Sequence, residues 1–364
     1  MSKVFEEIIT DSRLNIPIIQ NGNIDFKKFL FQKLDDYLDL LEELDEKTLK
    51  EHRIGGTKIN IIKNQTELVE GIKETIELYL QGKPSDSYIK LNSTLNKRLK
   101  KYSSLLNFET YKKESDFFRI RHKKDNYTFS KEQLFHIPYE LRGKVNTQRF
   151  SIPGFPSLYM SNNIYTCWEE LKRPNIYEFN AIRLSNKSEL KFLNLVPPKL
   201  DLKNLINAEN YKYLMTWPII ISCSIKVKNT DDNFKPEYIL PQLLLQWIRN
   251  EESISGIKYW STNTMINPTR SSDKLYNYVL PVKSTKEKGI CDELKKTFMS
   301  SEPTSWQIEQ ISNHNLNNSL SQMNYLVDKI KTIEISKGKK ANYYDSILGY
   351  LEYSLVLNKL FDFD

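Results

Sequence analysis

Arg149, Tyr159, the adjacent Glu169 and Glu170, and Ser261 are residues of this chain whose types could do chemistry together. A guanidinium fork suits phosphate oxygens or a sugar hydroxyl pair. A tyrosine ring can stack on a flat ligand, although a core tyrosine with a satisfied hydroxyl reads almost as well. A carboxylate can stabilise a positive charge that develops in a reaction. The Ser261 hydroxyl can donate a hydrogen bond, but no His/Asp set accompanies it to make a nucleophile. Arg119 and Arg121 flank Ile120, and two of only 11 arginines so close together favour a phosphate role. His122 beside them reads as a surface residue rather than a base.

Composition narrows the classes. The chain has 364 residues, a mass of 43.0 kDa and a net charge of +7, with 39% apolar and 12% aromatic residues. A sizeable core is affordable, and wholesale disorder is excluded. The basic excess is mostly scattered lysine, which argues weakly for nucleic acid because that ligand wants a concentrated stripe. Cys167, Cys223 and Cys291 are far apart, no CxxC pair exists, and the four histidines include no HxxxH pair. Neither a disulfide framework nor a metal site is supported. The opening MSKVFEEIITDSRL carries two Glu where a signal peptide needs an apolar run, and apolar runs stay short throughout. A cytoplasmic protein without a membrane span is expected.

The elements that must position these side chains follow from periodicity. Leu30, Leu34, Leu38, Leu41, Leu44 and Leu49 predict one helix from Phe29 to Leu49; further helices fit Thr66–Leu80 and Tyr88–Leu106. Gly82-Lys83-Pro84 separates the last two. Alternation then predicts strands at Asp116–His122 and Pro156–Ser161. A helix follows at Asn163–Lys172, with strands at Glu178–Leu184 and Leu190–Leu195. Trp217–Val227 is apolar and fits helix or strand. A helix at Leu240–Arg249 and strands at Ile257–Thr262 and Tyr276–Val282 complete a mixed α+β region. Cys291–Met299 and Asn318–Ile333 look helical, Lys337–Lys340 reads as an exposed turn, and Tyr343–Leu360 looks like an amphipathic helix.

The order of motifs adds a resemblance. Arg149-Phe150-Ser151-Ile152-Pro153-Gly154-Phe155-Pro156-Ser157-Leu158-Tyr159-Met160-Ser161 runs straight into Tyr165-Thr166-Cys167-Trp168-Glu169-Glu170, and Gly256-Ile257-Lys258-Tyr259-Trp260-Ser261-Thr262 comes later, after Pro241-Gln242-Leu243. In that order the pieces resemble the RES domain family, named for its Arg, Glu and Ser, over about residues 116–283. The resemblance implies an ADP-ribosyltransferase-like fold and a bacterial toxin that consumes NAD. It also selects between the acids. On a helical wheel of about 100° per residue, Glu169 and Glu170 both lie well off the apolar face centred near Ile164 and Leu171. The family places its acid just before an apolar residue, which Glu170 matches and Glu169 does not.

What the resemblance implies is cleavage of the nicotinamide–ribose bond of NAD, with NAD as substrate and no metal. Glu170 would stabilise the sugar cation. Arg149, with Arg119 or Arg121, would bind phosphates or ribose, Tyr159 would stack on the ring, and Ser261 would hold the amide or a ribose hydroxyl. The outcome could be hydrolysis, phosphorolysis or ADP-ribosyl transfer. Three segments are expected: a helical N-terminal domain over 1–112, a RES-like catalytic domain over 113–284, and a helical C-terminal extension over 285–364. An antitoxin or regulatory protein and a homo-oligomer are possible partners, in a toxin–antitoxin or anti-phage setting. Two rivals stand beside this reading. One is a nucleotide-sensing module without turnover. The other is an RNA-cleaving toxin, which would want an Arg four to six residues before a His; Arg119 and Arg121 precede His122 by three and one.

Overall fold

The computed structural model describes residues 5–20, 24–51, 56–101, 105–123, 127–198, 208–261, 275–312, 330, 332–336 and 338–363. Five helices come first: α1 (Phe5–Ile9), α2 (Phe26–Glu42), α3 (Glu46–Glu51), α4 (Lys58–Leu80) and α5 (Pro84–Lys101). Asp25 caps α2 by accepting from the backbone of Lys27 and Lys28, and Thr57 caps α4 through Asn60. The continuous helix expected over Phe29–Leu49 is two helices. α2 ends at Glu42, where Arg13 holds Glu43 at 3.0 Å and Leu44 turns into the core, 2% exposed. Gly82, at φ +79°, makes the turn before Pro84 opens α5.

The rest of the chain builds a sheet. Its strands are β1 (Phe108–Tyr111), β2 (Asp116–His122), β3 (Ser157–Ser161), β4 (Phe179–Asn186), β5 (Leu190–Asn194), β6 (Gly256–Trp260), β7 (Tyr276–Pro281), β8 (Phe298–Ser300) and β11 (Phe361–Asp362). Among the described residues they order as β1-β5-β6-β7-β3-β2-β4-β8-β11, with β5 and β6 parallel and the other pairs antiparallel. This is the mixed α+β class expected. The sheet takes strands from all three of the segments outlined above. A separate hairpin, β9 (Thr332–Ser336) with β10 (Lys339–Asn342), turns at Gly338.

Helices α6 (Ile164–Glu170), α7 (Ala208–Ser224), α8 (Ile239–Asn250), α9 (Asp292–Thr297), α10 (Trp306–Ser312) and α11 (Ile347–Leu357) pack around the sheet. The undecided Trp217–Val227 stretch is helical as far as Ser224. Every residue of α7 from Tyr213 onward is buried, so no polar face marks its period. Tyr37 stacks on Trp217 at 5.1 Å and donates to the Leu214 carbonyl, which fastens α2 to α7. One apolar cluster joins these helices to Leu193, Ile257 and Val279 of the sheet; a second packs α6 and α11 against Phe118 and Ile120.

The C-terminal expectations need correction. Cys291–Met299 is helical only over Asp292–Thr297; Phe298 and Met299 enter β8, where Phe298 is fully buried. The helix expected over Asn318–Ile333 falls mostly outside the described residues, and its end, Thr332 and Ile333, is strand. α11 is shorter than Tyr343–Leu360 and is not amphipathic. Leu348 through Tyr353 are all buried, because the helix is enclosed between α6, α10 and the sheet.

Candidate active site

The site begins where β2 and β3 part. They pair at Phe118 and Ser161, and Arg119 bridges to β3 beyond that point by donating from Nη1 to the Tyr159 carbonyl at 2.7 Å. Between them lies a cavity of ≈ 800 Å³, large enough for a dinucleotide-sized ligand. Arg119 and Arg121 of β2, Tyr159 of β3, Glu170 of α6 and Arg149 of the preceding loop all line it. Residues spread over the chain from 119 to 170 therefore share one cavity.

α6 delivers the carboxylate. Asn163 caps it, accepting from the Thr166 backbone at 2.7 Å, and the buried Glu352 of α11 accepts from the Ile164 N–H at 2.8 Å. The helix stops at Glu170 because Lys172 and Arg173 adopt left-handed backbone angles, φ +60° and +57°. Such angles are costly for residues with a side chain. They are held by backbone bonds from Lys172 to Glu169 and from Arg173 to Trp168.

Glu169 and Glu170, inseparable on a wheel, go to different places. Glu169 is 8% exposed and takes a two-nitrogen ion pair with Arg173, at 2.6 and 3.1 Å. Glu170 faces the cavity, where Asn277 Nδ2 donates to its Oε1 at 2.7 Å. Burial pushes the Glu170 carboxyl above the usual carboxylate range. The Ser261 hydroxyl, the Asn277 amide and the Arg149 charge pull it back down, and Glu169 adds repulsion.

Asn277 is the residue sequence reading missed. Across the sheet Ser161 stands opposite Asn277, and Asn277 opposite Tyr259, so the three share one face. Asn277 accepts from Ser161 Oγ at 2.5 Å while it donates to Glu170. The signal was a lone amide between Tyr276 and Tyr278 in an apolar strand, since a buried amide is expensive unless it is hydrogen-bonded. Tyr238, Tyr259 and Lys226 also line the cavity.

Arg149 donates to the Cys223 carbonyl at 2.9 Å and lies 5.3 Å from the Tyr238 ring centre. Arg121 donates to the Gln133 carbonyl and covers the Phe129 ring at 5.1 Å. Tyr159 is half-buried on the wall, and its hydroxyl resists ionisation because it is desolvated. Ser261 is fully buried just after β6, outside the cavity lining, and its hydroxyl acts on Glu170. His122 is exposed and paired with Glu178 at 3.2 Å. No cluster of metal-ligating side chains occurs among the described residues, and no described helix is long and apolar enough to cross a membrane.

Compared with known proteins, the chain is 34% identical to a Bacillus subtilis protein named "Putative toxin YopC", over 94% of this chain and 78% of that protein. No protein-family model matches the chain, and no solved structure matches it.

Proposed function

The chain belongs to the family of that Bacillus subtilis putative toxin, and on this premise we propose that it acts as a toxin by cleaving the nicotinamide–ribose bond of NAD. The observation that carries the reading is the charge of the cavity: seven Lys and Arg side chains line it around one carboxylate, Glu170. A dinucleotide needs cations for its diphosphate and one anion beside the ribose whose bond breaks. The RES-like residues supply the same set, which supports the assignment.

In this reading Arg149 and its neighbours hold the diphosphate, and Tyr159 offers its ring to the nicotinamide. The bond from the ribose C1′ to the ring nitrogen breaks and its electron pair stays on nitrogen, so nicotinamide leaves neutral and needs no acid. Positive charge grows on the ribose, and Glu170 stabilises it. Asn277 and Ser261 favour the ionised form of Glu170 against the opposing effect of its burial and hold it in place, so little reorganisation accompanies the charge. The acceptor of the ADP-ribosyl unit is water, phosphate or a protein side chain, and the product mass distinguishes them. Loss of NAD would arrest growth, a toxicity an inhibitor protein would have to restrain.

The test is nicotinamide release from NAD by the purified full chain, with Glu170→Gln and Glu169→Gln as comparators. Glu170→Gln is expected to lower turnover by about 10²- to 10³-fold, the usual cost of removing one preorganised electrostatic group. Glu169→Gln, which loosens the Arg173 pair and relieves a repulsion on Glu170, is expected to stay within a few-fold. A flat trace for wild type refutes cleavage and leaves a nucleotide-binding module.

A further inference from the structure

The cavity holds more positive charge than NAD can answer. NAD brings two negative charges on its diphosphate and one positive charge on its nicotinamide, against seven cations and a single acid. The arginines are anchored but not neutralised. Arg119, Arg121 and Arg149 each spend one nitrogen on a backbone carbonyl, of Tyr159, Gln133 and Cys223. None of the three pairs with a carboxylate among the described residues.

The surplus collects in two places. Arg149 stands near Glu170 and near Lys226, whose ammonium is destabilised by burial and by the Arg149 charge. Arg119 and Arg121 stand together on β2. Burial and the Arg121 charge lower the Arg119 guanidinium to about 10, and its buried Nε has no hydrogen-bond partner among the described residues. Two forks two residues apart on β2, each anchored to one backbone carbonyl and both lining the cavity, form a cradle for a tetrahedral oxyanion.

We propose that Arg119 and Arg121 form a second phosphate subsite, so that the preferred substrate is a dinucleotide carrying a 2′-phosphate, NADP rather than NAD. This rests on the glycosidic reading above only for its kinetic arm. Arg149 and Lys226, on the Glu170 side, take the diphosphate, and the β2 pair takes the additional phosphate.

The experiment uses the full-length chain in phosphate-free buffer. One arm compares kcat/KM for nicotinamide release from NADP and NAD. The other measures calorimetrically the binding of adenosine 2′,5′-bisphosphate against AMP. Each is expected to favour the phosphorylated ligand by about tenfold or more, the worth of a charge-assisted contact. Arg121→Gln should bring both ratios close to one. Arg121→Lys, which keeps the charge but loses the fork, should give intermediate ratios and covers the case of a poorly folded glutamine variant. Inorganic phosphate should erode the preference by competing for the subsite. Cleavage of NAD with no preference for NADP, or a preference that survives both substitutions, overturns the subsite and leaves the glycosidic reading standing. If neither dinucleotide is cleaved yet the bisphosphate binds tighter through Arg121, the glycosidic reading falls and the subsite remains. If the bisphosphate binds no tighter than AMP, the subsite is refuted whatever the cleavage result.

Discussion

His136 makes the stability of this protein depend on pH in a way that can be isolated. The imidazole is fully buried. Its Nε2 accepts from the Cys291 N–H at 2.7 Å, and its Nδ1 donates to the Ile137 carbonyl at 2.8 Å. A peptide N–H can only donate, so Nε2 must keep its lone pair and the ring must stay neutral. Burial lowers the pKa from 6.5 to about 4. The folded value lies below the unfolded one, so acid favours the unfolded chain. The stabilisation is complete above about pH 6.5 and is lost as pH falls toward 4. A difference of about 2.5 units corresponds to about 3 kcal/mol. The perturbation is His136→Gln, which keeps a neutral hydrogen-bonding side chain and cannot titrate. The assay is urea unfolding of both proteins at a series of pH values between 7.5 and 4. The glutamine variant should be the less stable at pH 7.5, and the gap should close by about 3 kcal/mol as the pH falls. Carboxylates that protonate over the same range cancel in the difference. Two curves that stay parallel would show that His136 does not hold this proton linkage.

Asn277→Ala removes a donor that favours the ionised form of Glu170, whose pKa is already raised. The acid limb of the pH–activity profile should therefore move to higher pH, and an unchanged limb refutes the role given to Asn277. Glu352→Ala leaves the Ile164 N–H and the Tyr343 hydroxyl without this buried acceptor, at 2.8 and 2.7 Å in the wild type. A loss of about 2 kcal/mol or more in urea unfolding is expected, because both groups are buried. Gly256→Ala sets a Cβ at 2.3 Å from the Val279 carbonyl in the β6–β7 pair. Backbone cannot move away cheaply there, so little soluble, folded protein should be recovered; a variant that melts like wild type would refute that close approach.

Much of the local structure was legible in the chain. β2 has the bounds its alternation predicts, because Phe117, Phe118 and Ile120 divide between two faces that are both packed. α8 and the turn at Gly82-Lys83-Pro84 follow from period and from backbone freedom. Legibility failed where burial is complete. α7 shows no period because it has no wet side, and α11 was mistaken for an amphipathic helix because its polar members, Glu352 above all, are buried and paired.

At the candidate site the chain alone names the acids, the arginines and the serine, because residue type limits chemistry and motif order limits which segments matter. Spacing could not separate Glu169 from Glu170, which sit side by side on one short helix. The choice lies in what each meets: Arg173, four residues on, or Asn277, brought across from β7. Ser261 was assigned a ligand contact through the RES resemblance; the packed sheet buries it fully and sets its hydroxyl to act on Glu170. Type and periodicity are properties of neighbours in sequence, whereas a charge's partner and exposure are properties of neighbours in space, and only the folded sheet supplies those.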